Sequence, residues 1–302
     1  MKKILTIIVT YNASKWIDKC FSSLRNSEYP VEIIVVDNNS SDNTPELIKA
    51  KFPEVKLIEN SQNLGFARAN NLGIKYALEQ GADYVFLLNQ DAWIEQDTLK
   101  ILIETFQIHS NVGLVSPIHL NGTYSGLDYG FANYMSWEFV SDTFVGKTKP
   151  LYSVYFVNAA AWMISKDCIR QVGGFDTSLF THYGEDNNFC QRVKFHKFDV
   201  VVNTHCTICH DREQRPDNLS SYRVNAFTED NERMMKKLEL GNINKPFKFH
   251  YRLKYLKREL FKSIILMRFN RISSIRKDIE LLFQINNSRE KNMIGNLIWL
   301  ND

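Results

Sequence analysis

The stretch Tyr84-Val85-Phe86-Leu87-Leu88-Asn89-Gln90-Asp91 decides the fold of this chain. Its unbroken apolar run has the length of a β-strand and falls well short of a helix. A strand without polar alternation is covered on both faces, as in the parallel sheets of α/β proteins. The run then stops on two amides and a carboxylate. In an open α/β sheet ligands sit beyond the carboxyl ends of the strands, so Asn89, Gln90 and Asp91 fall where binding chemistry is expected.

The same pattern recurs on either side. Residues 4–9, 33–36, 55–58 and 112–115 are further apolar, β-rich runs. Between them lie segments with helical spacing: residues 14–24, with Trp16, Ile17, Cys20, Phe21 and Leu24 on one side, then residues 66–78 and 99–108. Thr44-Pro45-Glu46 is a helix start, with a capping hydroxyl, a proline at the first helical position and an acid near the positive end. Repeated strand–helix units predict an α/β fold with a mainly parallel central sheet and helices on both faces. Three strand ends then meet on one rim, carrying Thr10-Tyr11-Asn12, Asp37-Asn38-Asn39 and Asn89-Gln90-Asp91. From residue 118 to 150 the periodicity dissolves into Gly, Tyr, Asn and Ser. Residues 154–157 and 161–164 read as strands again, 186–195 as a helix and 200–208 as extended. Beyond residue 220 the chain reads as helical and basic.

The chain has 302 residues and a net charge of +3, unevenly spread. Residues 245–277 carry eleven Lys and Arg against the single acid Glu259, a local charge of +10 over a remainder of −7. Such an end suits an anionic surface. The plainer alternative is a solvated helical face that packs on the rest through residues such as Phe247, Leu253, Leu256 and Leu260. No nucleic-acid motif accompanies the charge, so nucleic acid is not an expected partner. Five cysteines, an odd number without evident pairing, argue against a disulfide framework and for a reducing, cytoplasmic compartment. The apolar run after Met1-Lys2-Lys3 is too short for a signal peptide, and no stretch reaches transmembrane length.

The loop after the first strand has neither Gly-x-Gly-x-x-Gly nor a P-loop, which argues against a dinucleotide-binding Rossmann domain and a nucleoside triphosphatase. Tyr11 offers a ring that can stack on a base, while Asn12 serves equally well as a helix cap. Asp37 can accept from a ribose hydroxyl or a pyrimidine ring N–H, or simply form a turn in the Asn/Ser-rich residues 37–43. Asp91 offers the oxygen that Mg2+ or Mn2+ takes alongside substrate phosphates, and Asn89 an amide oxygen or a ribose contact. A capping turn before the next helix is the alternative. Gly173-Gly174-Phe175-Asp176 followed by Gly184-Glu185-Asp186 is more specific: a tight turn, an aromatic anchor and two acids at a helix start. The helix dipole alone favours acids there. The functional alternative is a base that takes a proton from a hydroxyl. His205-Cys206-Thr207-Ile208-Cys209-His210 imitates haem and zinc patterns, without an export signal for the first or a second ligand pair for the second. Cys206 and Ile208 share one side of an extended segment, and His210 stands as a candidate metal or phosphate ligand.

Together, Ile8-Val9-Thr10-Tyr11-Asn12, Val35-Val36-Asp37-Asn38, Asn63-Leu64-Gly65-Phe66-Ala67, Leu87-Leu88-Asn89-Gln90-Asp91, Gly173-Gly174-Phe175-Asp176 and Gly184-Glu185-Asp186 resemble, in order and spacing, the family 2 inverting glycosyltransferases of the GT-A fold. The rhamnosyltransferase-like branch is the most similar. The resemblance implies a GT-A catalytic domain over residues 1–220 and a basic, mainly helical C-terminal extension over residues 221–302. It implies nucleotide-binding roles for Thr10, Tyr11, Asn12, Asp37, Asn63, Gly65, Arg68 and Asn89. It places a divalent metal, Mg2+ or Mn2+, on Asp91 and His210. Asp186 would be the catalytic base, with Glu185, Asn158 and Trp162 on the acceptor side. The implied reaction moves a sugar from a nucleoside-diphosphate sugar, dTDP-rhamnose or a UDP-sugar, to a hydroxyl of a growing cell-surface glycan or lipid-linked acceptor. The basic end would then meet the inner face of the cell membrane. One departure from the family is Asn89, which stands where the first acid of Asp-x-Asp is usual. A nucleotidyltransferase would need a Gly-rich, Arg-containing first loop, which residues 10–16 do not supply. A non-catalytic sugar-nucleotide-binding module is the remaining alternative.

Overall fold

The computed structural model describes residues 1–181, 183–212 and 229–300. In its first part β1 (Ile4–Thr10), α1 (Ile17–Arg25), β2 (Glu32–Asp37), α2 (Thr44–Lys51), β3 (Lys56–Glu59), α3 (Gly65–Glu79) and β4 (Tyr84–Leu88) alternate along the chain. The strands pair in parallel in the order β3-β2-β1-β4. Successive side chains of a strand point to opposite faces. Phe86 and Leu88 accordingly enter one core with Ile8, Phe21 and Leu99, while Val85 and Leu87 enter another with Ile7, Ile74 and Trp162. Burying each such side chain stabilises the fold by roughly 1.5–3 kcal/mol. This double-sided burial is why the run Tyr84 to Leu88 carries no polar residue.

The second part runs β5 (Ala92–Ile94), α4 (Thr98–Ile108), β6 (Val112–Asn121), α5 (Tyr129–Ala132), α6 (Trp137–Phe144), β7 (Leu151–Ser153), β8 (Ala161–Ser165), α7 (Lys166–Val172), α8 (Glu185–Phe195) and β9 (Asp199–His210). Here the sheet becomes mixed. β8 lies antiparallel between β4 and β6, β9 pairs β6 in parallel, and β5 and β7 pair β9 antiparallel. β1, β2, β3, β4, β6 and β9 still share one direction, so the sheet is mainly parallel as expected.

Three local expectations need correction. Residues 154–157 are not a strand: β7 ends at Ser153, and Val154 and Val157 are apolar because they are buried in irregular chain. The turn at Asp91 does not cap a helix. It closes with Ala92 N–H donating to Asn89 O at 3.0 Å, and the chain enters β5, which pairs with Ile208 to His210. That pairing is a long-range event that local sequence does not announce. Residues 118–150 are not wholly irregular. They complete β6 and form α5 and α6, whose first turns are capped by the side chains of Asp128 and Ser136.

Three helices follow: α9 (Glu229–Gly241), α10 (Phe249–Ile265) and α11 (Phe269–Ile294). Leu281 and Ile285 of α11 pack on Leu179 and Phe180, with Leu238 and Phe247 alongside. The chain then returns to the main body, where Leu297 and Leu300 join the core around Trp162 and Phe175. Gly174 N–H donates to Ile298 O at 2.8 Å. A Cβ on Gly173 would collide with the Ile298 backbone, and one on Gly174 with Asn71 and Leu300. The two glycines therefore admit the tail as well as the turn. The expected boundary at residue 220 lies outside the described residues. All five cysteines are buried thiols without a disulfide. Among the described residues no helix is long and apolar enough to cross a membrane.

Candidate active site

The rim at the carboxyl ends of β1 and β2 is tied together by Asp37. Thr10 Oγ1 donates to its Oδ1 at 2.7 Å, and Ser40 donates through both N–H and hydroxyl at 2.9 and 2.6 Å. Asn12 is left-handed at φ 51° and accepts from Ser41 N–H at 2.8 Å, so it stitches the first loop to the second. Tyr11 between them is 48% exposed, an aromatic surface at the mouth of the rim. Asn63 accepts from Gly65 N–H at 2.8 Å and so opens α3. Arg68 is exposed on the first turn of that helix.

Next to this rim lies a second cluster. Asp91 and His210 are both buried, with Asp91 Oδ1 3.4 Å from His210 Nε2. The Asn89 amide is also 3.4 Å from Nε2. β5 and β9 bring these residues together, since Ala92 pairs directly with His210. Behind the imidazole, Asp128 Oδ2 lies 3.5 Å from Nδ1, and Arg212 Nε lies 3.1 Å from the same carboxylate and 3.2 Å from Nδ1. Nδ1 accepts from Arg212 Nε–H, so the proton of the neutral ring sits on Nε2, facing Asp91, and would have to leave before Nε2 could bind a metal. Asp91, His210 Nε2 and the Asn89 amide oxygen make a donor set suited to a hard divalent cation that also binds phosphate. Among the described residues no group of three or more His, Cys, Asp or Glu side chains could hold a metal ion. Asp91 and His210 alone would leave most of a divalent cation's coordination sphere to other oxygens, such as those of a phosphate.

The third cluster opens α8. Its first residues are Glu185 and Asp186, and Gly184 before them is left-handed at φ +91°. Burial pushes the Asp186 carboxyl up to about 6, against the opposing pull of the Asn187 and Ala159 amides and of Arg212. Burial, and then the neighbouring charge of Asp186, pushes Glu185 up to about 7. Arg192 fixes the helix from beneath: it is fully buried and donates to Asn188 Oδ1, Val172 O and Gly174 O at 3.0, 2.9 and 2.6 Å. Buried polar atoms normally have a partner. Trp162 Nε1 and Glu185 Oε2 have none among the described residues, and Asn158 faces His119. Trp162 itself is floor rather than wall. It is fully buried, stacked 6.1 Å from Phe175 and tilted 5.7 Å from Phe189, so only Nε1 is left to be satisfied.

The second and third clusters are joined by one dipeptide. Asn89 N–H donates to Ala160 O at 2.9 Å, while Ala159 N–H bears on Asp186. Sequence reasoning found the members of each cluster but missed Gln90 as a bracket on Tyr11, Asp128 and Arg212 behind His210, and Arg192 beneath α8. Gln90 lay inside a recognised motif. Asp128 lay in a stretch without periodicity, and only its place before a short helix could have marked it.

The sequence pattern of glycosyl transferase family 2 matches residues 6–173, and the chain belongs to that family. It is 27% identical over 190 residues to a dTDP-rhamnosyl transferase, RfbF, of Shigella flexneri, covering 63% of this chain and 62% of the relative. It is 28% identical over 206 residues to a poly-beta-1,6-N-acetyl-D-glucosamine synthase of Staphylococcus epidermidis, covering 65% of this chain and 46% of the relative. The match therefore spans about half to three fifths of the length of these relatives. Among solved structures, S. aureus TarS 1-349 in complex with UDP superposes with a TM-score of 0.54 at 15% identity, over 96% of this chain and 89% of that one. A mannosyltransferase from Pyrobaculum calidifontis in complex with GDP-Man and Mn2+ superposes with a TM-score of 0.54 at 16% identity, over 96% and 87%. The fold is that of the GT-A glycosyltransferases.

Proposed function

We propose that the chain transfers a sugar from a nucleoside-diphosphate sugar, dTDP-rhamnose or a UDP-sugar, to a hydroxyl of a growing cell-surface glycan or lipid-linked saccharide. The observation that carries this reading is the Ala159-Ala160 dipeptide, which sets the Asn89–Asp91 corner and the half-buried Asp186 carboxylate side by side. Tyr11 and Asp37 hold the base and ribose, with Thr10, Asn12, Asn63, Gly65 and Arg68 around the nucleotide. Asp91, His210 and Asn89 would hold Mg2+ or Mn2+, which when bound neutralises charge on the departing diphosphate. Arg212 adds a fixed positive charge behind His210.

Asp186 takes the proton of the acceptor hydroxyl as its oxygen attacks the anomeric carbon. The new bond forms on the face opposite the sugar–phosphate bond, whose electron pair leaves on the diphosphate, and the anomeric configuration inverts. Its raised carboxyl suits this task, because a base whose conjugate acid lies near 6 holds a transferred proton better than one near 4. Glu185, Asn158 and Trp162 Nε1 offer buried polar atoms to the acceptor's hydroxyls. A lipid-linked acceptor also explains a cytoplasmic chain with a basic end that meets the inner face of the membrane.

The test is calorimetry with UDP, dTDP and GDP, with and without Mn2+, followed by turnover with the donor selected. Binding of one pyrimidine diphosphate that needs Mn2+ and is lost in Asp91→Ala supports the reading. Binding without turnover on any acceptor would favour a non-catalytic module, and no binding would remove the donor site.

A further inference from the structure

The helical hairpin α10–α11 is built unlike the rest of the molecule. Along α10 only Ser263 is buried. At the connection, Ile264, Ile265, Leu266, Met267 and Phe269 are all half or more exposed, Met267 and Phe269 at 74%. Phe261, one turn earlier, is 65% exposed. Contiguous exposed apolar side chains mark an interaction surface, because water alone would not favour them. Around this tip stand Arg258, Lys262, Arg268 and Arg271. The nearby acid Glu259 is already engaged by Lys262 and Arg271 at 2.9 and 2.6 Å, which also staples the two helices together. An open groove of about 720 Å3 along α10 is lined by Lys254, Lys257, Arg258, Phe261 and Lys262.

We infer that the tip of this hairpin, residues 264–269, inserts into the interfacial region of an anionic bilayer while the flanking Lys and Arg bind lipid phosphates. The inference rests on the reading that the acceptor is membrane-borne, and it names the element that makes the contact. Apolar side chains capped by a basic collar are the composition that an anionic headgroup layer accepts, with the apolar part at the acyl boundary and the cations at the phosphates. A second copy of the chain is a poor occupant. A two-fold contact would press the same patch against itself and so bring two strongly positive segments together. The rest of the chain carries the opposite net charge, which orients this end toward an anionic surface and the remainder away from it. The shaft of the anchor is α11. From Phe269 to Asn292 it runs about 35 Å at helical rise. At its far end Ser288 and Asn292 donate to the buried Asp176, the last residue of the Gly-Gly-Phe-Asp turn.

The experiment is flotation of the full chain with vesicles of phosphatidylcholine alone or with about 30% phosphatidylglycerol. We expect binding to the anionic vesicles that weakens as salt rises, and little to the neutral ones. Leu266→Glu with Met267→Glu should reduce anionic-vesicle binding at least tenfold. Lys254→Gln with Lys257→Gln and Arg258→Gln should reduce it about fivefold for each charge removed. All these residues are exposed, and unchanged thermal unfolding would report intact variants. Absence of binding to anionic vesicles, or equal binding by the tip variant, overturns the proposal. So does a solution dimer that the tip variant dissolves. Nucleotide binding measured without vesicles reads the donor site separately, so it can fail or hold whatever the hairpin does.

Discussion

The side-chain amide of Gln90 grips the backbone of Tyr11 at both ends: Oε1 accepts from Tyr11 N–H at 2.8 Å, and Nε2 donates to Tyr11 O at 3.3 Å. The loop after β1 is thereby hung on the loop after β4. The exposed Tyr11 ring and the Asn89–Asp91 turn are thereby held together as one piece.

Gln90→Ala frees that platform. Two hydrogen bonds of about 1 kcal/mol each are lost, and the ordering of Tyr11 must then come from the ligand. We expect nucleotide affinity to fall about tenfold or more in calorimetry, with little change in melting temperature. Unchanged affinity would mean that Tyr11 is ordered by something else.

Asp186→Asn should cost about 10²–10⁴-fold in kcat with donor affinity retained. In the wild-type chain the rate should rise with pH through about 6, not 4, because burial raises the carboxyl that must lose its proton. A profile flat down to pH 4.5 would take the base role from Asp186.

The same two carboxyls set a stability trend of definite sign. Asp186 and Glu185 are raised by burial to about 6 and about 7, so the folded chain binds their protons more tightly than the unfolded chain does. Their contribution therefore favours folding most at low pH and is lost as pH climbs from the unfolded carboxyl range through 6 and 7. Asp186→Asn removes a half-buried charge at pH 8 and should raise the melting temperature there, while the difference shrinks at pH 5. A lower melting temperature at pH 8 would show that the carboxylate is stabilised by contacts that the amide cannot make.

Asp128→Asn removes the carboxylate that holds Arg212 Nε on His210 Nδ1. Replacing the partner of a metal-binding imidazole typically weakens metal affinity about 10–100-fold. We expect the Mn2+-dependent part of nucleotide binding to weaken by that factor and the metal-free part to stay. Equal losses in both would make Asp128 a purely structural cap of α5.

Asn292→Ala deletes the donor that reaches Asp176 Oδ2 at 3.1 Å and the acceptor for Trp299 Nε1 at 2.8 Å. Asp176 keeps Ser288, while Trp299 Nε1 is left buried without this partner, which costs about 1–3 kcal/mol. Thermal unfolding should fall by several degrees, and acceptor affinity should weaken more than nucleotide affinity, because Asp176 supports the loop that leads to Glu185.

The strand–helix alternation of the first part was legible because each strand is apolar throughout and each helix has one apolar side. Thr10, Asp37 and Asp91 were legible as a rim for the same reason: once the strands are placed, their ends are placed. What escaped was decided by distant partners. β5 exists because Trp93 pairs with Cys209, and residues 154–157 are apolar without being extended because they fill space beneath other elements. Asp128 and Arg212 acquire meaning only when the chain beyond β6 and β9 brings them together at Nδ1 of one imidazole. The glycines at 173 and 174 were legible as a turn, but not as the seat of a tail that comes far later in the chain.

That seat has a temporal consequence. The Gly173-Gly174 turn is synthesised roughly 120 residues before Ile298 arrives to close it, on the order of ten seconds at ribosomal rates. Until then the nascent chain holds the rim of Thr10, Tyr11, Asp37 and Asp91 beside a Gly-Gly-Phe-Asp turn whose backing is missing. The rim and the turn are thus completed at different moments in the life of each molecule, the rim first.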